Sequence, residues 1–261
     1  MPPNKEQRQA LAQETRMLTP HIISSADAST ESVYYPIQLP RCDPTPNPRE
    51  PRVTVQNSDS FTAARAILDT NPTAKIGVLN MASEKYPGGG WLRGALAQEE
   101  ALCFRSTLAA TLHQRFYPLS KFGAVWSPNV VIFRDEVATG CRIYKPAEMF
   151  TVGVVSLAAI RRPFLTPDRS NFARRQDILA VREKMKQVFR VLAKNNVTHC
   201  VLGAMGCGAF QNPPLQVALL FREVLEEGEF TGVFDEIIFA VLDTRGEGNY
   251  AIFRDILQDF S

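Results

Sequence analysis

Three consecutive glycines and a pair of adjacent glutamates are the residues of this sequence best suited to chemistry. The residues concerned are Gly88, Gly89, Gly90, Gln98, Glu99 and Glu100. Glycine loses the most conformational entropy on folding, so a triple glycine is favoured where the backbone must turn sharply or approach a ligand closely. The two carboxylates could transfer protons as a general acid or base. Taken alone, they could also do no more than complement the dipole of a helix that starts near residue 98.

A second glycine-rich turn lies later in the chain, after a strand predicted at residues 198–202. Its candidate binding residues are Gly206, Cys207, Gly208, Ala209 and Phe210. Such a turn between a strand and a helix presents backbone N–H groups to an anion such as a phosphate or diphosphate. The turn lacks the GK[ST] of a P-loop, and Gln211 stands where a dinucleotide fingerprint needs its third glycine. An NAD-dependent oxidoreductase is therefore disfavoured.

Strands and helices alternate along the sequence, and they are the elements that must position the two turns. Buried strands are predicted at residues 52–56, 75–81, 130–133, 150–157, 198–202 and 236–241. Helices are predicted at residues 5–18, 59–69, 98–112, 172–194, from 213 onward and at 249–260. This alternation predicts an α/β fold whose parallel or mixed sheet is covered on both faces. In such sheets ligands bind beyond the carboxyl ends of the strands, where both glycine-rich turns are expected.

The domain boundary is predicted near residue 52, because the preceding stretch is rich in proline. Proline has no backbone N–H, so regular structure is excluded over residues 36–51. The prolines are Pro36, Pro40, Pro44, Pro46, Pro48 and Pro51. We therefore predict an N-terminal helix and proline-rich arm at residues 1–51, packed on a compact domain at residues 52–261.

Composition excludes several classes of protein. The chain has 261 residues, of which 45% are hydrophobic and 21% charged, and its formal net charge is only +2. This near balance gives no reason to expect specific DNA binding, which requires clustered basic residues. No signal peptide and no membrane span are predicted. Five cysteines without a CxxC pair predict reduced thiols in an intracellular protein, cytoplasmic or nuclear and not secreted, with no metal site.

The spacing of the motifs resembles that of poly(ADP-ribose) glycohydrolases. The segment YPGGG at residues 86–90, followed after seven residues by QEE at residues 98–100, is similar to the GGG–QEE signature of that family. The surrounding VLNMASEKYPGGG and the later GAMGCGAFQNPP look like the short microbial branch, from bacteria and fungi. The resemblance extends from about residue 53 to residue 260. It implies a macrodomain-like, three-layer α/β/α fold with a mixed, largely parallel central sheet and an N-terminal helical extension.

The resemblance also implies an activity, the hydrolysis of ribose–ribose O-glycosidic bonds in poly(ADP-ribose), with release of ADP-ribose and no cofactor. Glu100 would be the acid/base, which protonates the departing ribose oxygen and then accepts a proton from the attacking water. Glu99 would orient the ribose on the leaving side. Side chains of consecutive helical residues point about 100° apart, so this pair cannot flank the bond as in ordinary glycosidases. One glutamate must therefore do most of the proton transfer.

The remaining site residues are implied by the resemblance. Asn80 would lie near the distal ribose, the three glycines would cradle that ribose and the diphosphate, and Gln98 would also bind substrate. Residues 206–209 would enclose the other side of the diphosphate, and Phe210 would pack against the terminal ribose, with a core position as its alternative. Cys207 is not expected to be a nucleophile, because no histidine lies nearby in the sequence. The expected partners of a monomeric enzyme are ADP-ribose, poly(ADP-ribose) and the ADP-ribosylated proteins that carry it.

Two alternative functions stay open at this point. A hydrolase that removes single ADP-ribose units from proteins or nucleic acids would share the fold and much of the pocket. A non-catalytic macrodomain that only binds ADP-ribose would not need Glu99 and Glu100. The N-terminal helix and arm are candidates to cover the adenosine side of the pocket, which decides between cleavage within the polymer and at its end. Two arginine pairs, at residues 161–162 and 174–175, are predicted to be solvated, with polymer phosphates as an alternative contact.

Overall fold

The computed structural model describes residues 2–43, 45, 50–244 and 246–258, and these contain seven strands and seven α-helices. The strands are β1 (Val33–Tyr35), β2 (Arg52–Gln56), β3 (Ile76–Met81), β4 (Ala124–Ile132), β5 (Phe150–Leu157), β6 (His199–Leu202) and β7 (Glu236–Ala240). The helices are α1 (Lys5–Ser25), α2 (Ser60–Thr70), α3 (Gln98–Arg105), α4 (Leu108–Thr111), α5 (Arg175–Lys194), α6 (Pro214–Glu226) and α7 (Asn249–Leu257).

The strands form one mixed sheet in the spatial order β1-β4-β5-β3-β6-β7-β2. The pairs β1–β4 and β4–β5 are antiparallel, whereas β3–β6, β6–β7 and β2–β7 are parallel. The predicted mixed α/β fold with an N-terminal helix is confirmed. β1 was not predicted, because three residues are too few to give a periodic pattern.

The chain divides into two compact units. The first comprises the described residues of Met1–Pro36 and Asn80–Ala158, and the second comprises those of Ile37–Leu79 and Ala159–Ser261. β3 begins in the second unit, and its last two residues, Asn80 and Met81, belong to the first. The division into residues 1–51 and 52–261 stays a prediction.

In the first unit, β4 and β5 form a long antiparallel pair, from Ala124 opposite Leu157 to Ile132 opposite Phe150. Its register shifts between Ser127 and Val130. Pro128 lies within this irregularity, where its missing N–H breaks no regular ladder. The predicted strand at 130–133 therefore covers only the second half of β4, because the proline conceals the first half.

α1 lies in the first unit against the segment that leads into and through α3. Its Thr15 Oγ1 donates a hydrogen bond to the carbonyl of Phe104 at 2.9 Å, and Arg8 Nε donates to the carbonyl of Gly94 at 2.8 Å. The helix continues to Ser25, beyond the predicted end at residue 18. It passes through Pro20, which is exposed and has no N–H to donate to the carbonyl of Arg16 four residues earlier.

The prediction of one helix over residues 98–112 is wrong, because the backbone at residues 106 and 107 pairs with the end of β4 instead of continuing the helix. α3 ends at Arg105, and Ser106 is extended and forms an antiparallel bridge with Ile132. Thr107 N donates to the carbonyl of Val131 at 3.0 Å, and Thr107 Oγ1 accepts from Val131 N at 3.0 Å. The helix resumes only at α4. These strand contacts outweigh the helix propensity of the segment.

In the second unit, the parallel strands β6 and β7 are almost completely buried, and their sequences, HCVL and EIIFA, are mainly apolar. This is the pattern of strands covered on both faces. Helices α5 and α6 contribute the rings of Phe189 and Phe221, whose centroids lie 6.4 Å apart. The predicted strands and helices of this unit occur with shifts at their ends. α5 begins at Arg175 rather than 172, because Phe172 instead forms a bridge with Leu165.

The proline-rich arm has no helix or strand among the described residues of 36–51. Leu39 N donates to Gln187 Oε1 of α5 at 2.7 Å, and Gln187 Nε2 returns a bond to the carbonyl of Ile37 at 3.1 Å. The predicted positions Pro44, Pro46 and Pro48, and the end of the last predicted helix at Phe260, lie outside the described residues.

Several general features bear on function. The five cysteines are free thiols. Within the residues described, no helix combines the length and the apolar character needed to cross a membrane. Over the same residues, no group of three or more His, Cys, Asp or Glu side chains is arranged to hold a metal ion.

Candidate active site

The end of β3 supplies the floor of a buried polar cluster in the first unit. Asn80 is fully buried, and its Nδ2 donates to Ser156 Oγ at 3.0 Å and to Glu99 Oε1 at 3.4 Å. Its Oδ1 is buried and has no hydrogen-bond partner within the described structure. A buried amide oxygen without a partner is unfavourable in water-free surroundings, so this atom is suited to accept a bond from a ligand hydroxyl.

Glu99 is held inside the protein by backbone and side-chain donors. Its Oε2 accepts from Ser83 N at 2.7 Å, and only 4% of the residue is exposed. Burial raises the pKa of Glu99 to about 8, and the nearby Glu100 adds to the rise, although the bonds from Ser83, Asn80 and the Gly88 backbone oppose it. Burial disfavours the charged carboxylate more than these donors stabilise it. Glu99 is therefore mostly protonated at neutral pH.

Glu100 binds a different set of backbone groups. Its Oε1 accepts from Gly90 N at 2.8 Å, and its Oε2 accepts from Ala97 N, ahead of the first turn of α3, at 3.0 Å. The second contact satisfies a donor at the helix start, which is the ordinary role of an acid at this position. The first contact fixes the carboxylate against the glycine turn. The two glutamates thus share a helix turn but have separate surroundings.

The triple glycine is required by the closeness of the backbone to both carboxylates. Gly88 and Gly89 have left-handed φ angles of +71° and +60°. A Cβ on Gly89 would lie 2.6 Å from Glu100 Oε1 and 2.8 Å from Glu99 Oε2, so a side chain there would have to displace the two carboxyl groups. The N–H of Gly89 donates to the carbonyl of Tyr86 at 3.0 Å. In this structure the glycine turn therefore holds the catalytic candidates through its own backbone.

A cavity of about 220 Å³ lies against the same turn. Its lining combines glycine backbone, aromatic and apolar side chains with one cation, from Tyr86, Pro87, Gly89, Gly90, Trp91, Leu92, Arg93 and Gln114. This mixture suits part of a ligand that carries both rings and charge.

The second glycine-rich turn belongs to the second unit. Gly206 has a φ of +76°, and a Cβ there would lie 2.7 Å from Ala159 Cβ. Phe210 is half-buried rather than a core residue, whereas Gly208 and Ala209 are exposed. Burial raises the pKa of the Cys207 thiol, which stays protonated and is a poor nucleophile.

Sequence reasoning missed three residues that lie in or close to the two groups of predicted site residues. Asn212 is buried, and its Nδ2 donates to the carbonyls of Ile160 at 2.7 Å and Gly206 at 3.2 Å. Tyr117 has a buried hydroxyl without a partner among the described residues, and burial together with Glu99 raises its pKa. Ser83 uses only its backbone N–H on Glu99, so no sequence signal could have identified it. Asn212 lies in the GAFQNPP motif, which was the available signal.

The predicted site residues fall into two groups. The structure brings one group together in the first unit: Asn80, Gly88, Gly89, Gly90, Gln98, Glu99 and Glu100. Gln98 Oε1 accepts from Met81 N at 2.9 Å, so this side chain fixes the start of α3 to the end of β3. The other group, Gly206, Cys207, Gly208, Ala209 and Phe210, forms the turn of the second unit.

Comparison with known proteins gives one consistent result. Residues 5–135 match the family described as microbial-type PARG, catalytic domain. The chain is similar to poly(ADP-ribose) glycohydrolase from Thermomonospora curvata, with 27% identity, 97% and 100% of the two chains covered and a TM-score of 0.80. The same protein bound to the inhibitor ADP-HPD gives 27% identity, coverage of 96% and 99%, and the same TM-score of 0.80.

A second bacterial protein is also similar. Poly(ADP-ribose) glycohydrolase from Deinococcus radiodurans in complex with ADP-ribose is 33% identical to the chain. The match covers 82% of this chain and 86% of the Deinococcus chain, with a TM-score of 0.68. No curated protein matches the chain.

Proposed function

Because the chain belongs to the microbial-type poly(ADP-ribose) glycohydrolase family, we propose that Glu100 is its acid/base and that Glu99 orients the substrate. The protein is a macrodomain-like glycohydrolase that hydrolyses poly(ADP-ribose) and releases ADP-ribose. The structures of its relatives with ADP-ribose and with ADP-HPD support binding of the same ligand class here.

One observation carries the assignment of the two glutamates. The backbone at Gly89 lies so close to both carboxylates that a single Cβ would clash with an oxygen of each. Helix-capping acids do not need such a turn against them, since their function is complete with the helix N–H groups. The close packing of the glycine turn against both glutamates therefore supports a common role in binding and cleaving a glycosidic bond.

In the proposed reaction one carboxyl group, that of Glu100, carries out both proton transfers. In the proposed step the Glu100 carboxyl group gives a proton to the ribose oxygen of the leaving unit while the anomeric carbon–oxygen bond breaks. The electron pair leaves with that oxygen, and an oxocarbenium-like centre forms. Water then attacks this carbon, and its proton returns to the Glu100 carboxylate. A positioned acid of this kind contributes about 10²- to 10⁴-fold to a rate.

Glu99 supports this chemistry as a mainly neutral carboxyl group. Since its pKa is raised to about 8, it adds little negative charge beside Glu100 or an incoming diphosphate. A protonated carboxyl can also donate a hydrogen bond to a ribose oxygen. The orphan Oδ1 of Asn80 supplies an acceptor on the same side of the cluster.

The other substrate contacts belong to the same proposal. Gly88, Gly89 and Gly90 line the distal ribose and diphosphate, and the turn that contains Gly206, Cys207, Gly208, Ala209 and Phe210 is a further diphosphate and ribose contact. Gln98 acts on the substrate through the position of α3, since its Oε1 is bonded to Met81 N. The half-buried state of Phe210 supports a contact to ribose rather than a core role.

The biological setting is part of the proposal as well. We propose a monomeric intracellular enzyme, cytoplasmic or nuclear, that acts on ADP-ribosylated proteins as carriers of the polymer. The five free thiols support a reducing compartment.

The test compares the purified protein with Glu100→Gln. The wild type is expected to release ADP-ribose from poly(ADP-ribose), and the variant to lose about 10²- to 10⁴-fold in kcat while it still binds ADP-ribose. Glu31→Gln, an exposed glutamate of the same unit, is the charge-matched control. A wild type that binds ADP-ribose but leaves the polymer intact contradicts the activity. Full activity of Glu100→Gln contradicts the site. A mono-ADP-ribosylated protein as second substrate tests the alternative hydrolase.

A further inference from the structure

Residues 161–175 of the second unit, which we name the arginine hairpin, form an ordered surface segment outside the glutamate cluster. Leu165 and Phe172 pair in an antiparallel bridge, and Ala173 N donates to the carbonyl of Phe164 at 2.8 Å. At the tip, Asp168 Oδ1 accepts from Thr166 Oγ1 at 2.6 Å. Phe172 N donates to Gln216 Oε1 of α6 at 2.7 Å. The hairpin is thus braced from within and from the adjacent helix.

The hairpin concentrates positive charge on an otherwise balanced chain. Its five exposed arginines are Arg161, Arg162, Arg169, Arg174 and Arg175. Asp168 is its only acid, so the segment has a net charge of +4 against +2 for the whole chain. The Asp168 carboxylate is bonded to Thr166 and Ser170 within the tip. Such a concentration of guanidinium groups is suited to phosphate, which arginine binds with a planar pair of donors.

An exposed aromatic ring of the hairpin stacks on one of these arginines. Phe164 is 61% exposed, and the guanidinium carbon of Arg174 lies 3.6 Å from its ring centroid. The stack orders both side chains and leaves ring surface open to solvent. Aromatic rings beside cations are the usual platform on which proteins stack nucleobases of single-stranded chains.

Arg174 and Arg175 also occupy an unfavourable place for cations. Arg174 is the N-cap of α5 and Arg175 its first residue, and no side chain caps that helix. The positive end of a helix dipole repels cations there, and Ser, Thr, Asp or Asn is preferred as the cap. A local rule broken in this way points to a role in binding rather than in folding.

The hairpin is joined directly to the second glycine-rich turn. Arg162 N donates to the carbonyl of Phe210 at 2.8 Å, and Asn212 Nδ2 donates to the carbonyl of Ile160 at 2.7 Å. Both contacts lie within the second unit. Phe210 is the residue proposed to contact the terminal ribose. A polymer that continues from that ribose would therefore begin its path beside the hairpin.

We propose that the arginine hairpin binds an ADP-ribose unit of the polymer other than the one whose bond is cleaved, with its adenine on Phe164 and its diphosphate on the arginines. This inference rests on the proposed function for the identity of the polymer. Each repeating unit offers one purine and two phosphates, which match one exposed ring stacked on Arg174 in a segment with four further exposed arginines. The hairpin therefore favours long chains over free ADP-ribose.

The first test measures binding in the Glu100→Gln protein, in which turnover is suppressed. Arg174→Gln/Arg175→Gln is expected to weaken binding of poly(ADP-ribose) by at least about 5-fold and to leave ADP-ribose affinity unchanged. The slope of log affinity against log salt should fall by about 0.7 for each phosphate that is no longer neutralised by an arginine. Arg222→Gln/Arg254→Gln removes equal charge from side chains that are 42% and 45% exposed, and should change neither affinity.

The second test isolates the aromatic platform. Phe164→Ala is expected to weaken polymer binding about 5-fold or more, whereas Phe164→Trp should retain it, because a larger ring also stacks. Neither variant should alter ADP-ribose affinity. Thermal unfolding of each variant checks the fold, and a variant that loses ADP-ribose binding or its cooperative melt is replaced by the next single substitution, Arg174→Gln alone.

Three outcomes separate the possible explanations. Unchanged polymer affinity in both Arg174→Gln/Arg175→Gln and Phe164→Ala overturns the hairpin proposal. Loss of affinity for a single-stranded DNA of equal charge, with polymer affinity unchanged, overturns it in favour of a nucleic acid partner. Weakened polymer binding in these variants, together with a wild type that cannot cleave the polymer, supports the hairpin and contradicts the proposed enzyme instead.

Discussion

Glu99 is a residue whose protonation is controlled by the fold rather than by its sequence neighbours. Its unusual pKa arises mainly from burial, which only the packed structure provides. The sequence could show that two adjacent carboxylates cannot have equivalent positions. It could not show which of them burial would neutralise, because Ser83 contributes a backbone N–H that every residue type except proline would offer.

The raised pKa of Glu99 makes stability depend on pH in a defined direction. A carboxyl with a folded pKa of about 8 binds its proton more tightly in the folded than in the unfolded state. Its stabilising contribution is complete below the unfolded pKa of about 4.5 and is lost as pH rises through about 8. Relative to Glu99→Gln, the free energy of unfolding of the wild type should fall over this range by up to about 1.4 kcal/mol per pH unit.

Urea denaturation of both proteins from pH 5 to 9 measures this difference. Glu31→Gln serves as control, since its exposed carboxyl should give a curve parallel to that of the wild type. If the free energies of unfolding of wild type and Glu99→Gln changed in parallel with pH, burial would not raise the pKa of Glu99.

Gly89 should tolerate no side chain, for two separable reasons. Alanine there would adopt a left-handed φ of +60°, which costs about 1 kcal/mol, and its Cβ would displace Glu99 or Glu100. Because displacement of a catalytic group by about 1 Å can lower rates about 10²-fold, we expect Gly89→Ala to lose at least that much in kcat.

Gly228→Ala separates strain from displacement. Gly228 has a similar φ of +71°, but a Cβ there would meet nothing closer than Thr231 Oγ1 at 3.9 Å. This control should lose about as much stability to backbone strain and keep its activity. Equal activity of the two alanine variants in a poly(ADP-ribose) cleavage assay would argue against the steric role of residue 89.

At the level of elements, the sequence predicted which segments form strands and helices better than it predicted where they end. Apolar runs such as 150–157 are identified by composition alone, and β5 has these bounds. The break after Arg105 depends on the pairing of Ser106 with Ile132, a contact between residues distant in the chain. Local propensity has no access to such a contact, so α3 and α4 were predicted as one helix.

The junction of α1 with α3 depends on one buried hydrogen bond. Thr15 is fully buried, and its hydroxyl satisfies the Phe104 carbonyl near the end of α3, where carbonyls lack helical partners. Thr15→Val keeps the shape but removes the donor, and should lower the free energy of unfolding by about 1 to 3 kcal/mol. Urea denaturation measures the change.

Thr70→Val at the exposed end of α2 is the matched control. The Thr70 hydroxyl donates to the Ile67 carbonyl at 3.0 Å in a residue that water reaches. Its loss should change stability by no more than about 0.5 kcal/mol. Similar losses of stability in Thr15→Val and Thr70→Val would mean that the buried bond between α1 and α3 stabilises the fold no more than an exposed one.

At the level of the whole molecule, composition gave a correct but incomplete view of charge. The net charge of +2 gave no reason to expect specific DNA binding, yet the arginine hairpin carries +4 and the remainder of the chain therefore −2. An average over 261 residues hides a patch of fifteen. The arginine pairs were visible in the sequence, but the stacking of Arg174 on Phe164 and the bridge between Leu165 and Phe172 were not. The sequence gives the number of charges, whereas only the fold gives the distances between them.

The fit of residue 89 between two carboxylates has an evolutionary consequence. While both glutamates are present, a side chain at position 89 would have to displace one of them. A descendant that replaces a glutamate by a smaller residue opens that space, and residues that tolerate a left-handed φ, such as asparagine, become acceptable there. Once a Cβ is in place, restoring the glutamate recreates the clash. A descendant that has lost a glutamate and gained a side chain at position 89 would need two changes to regain catalysis. Such binding-only descendants would therefore not readily revert to hydrolases.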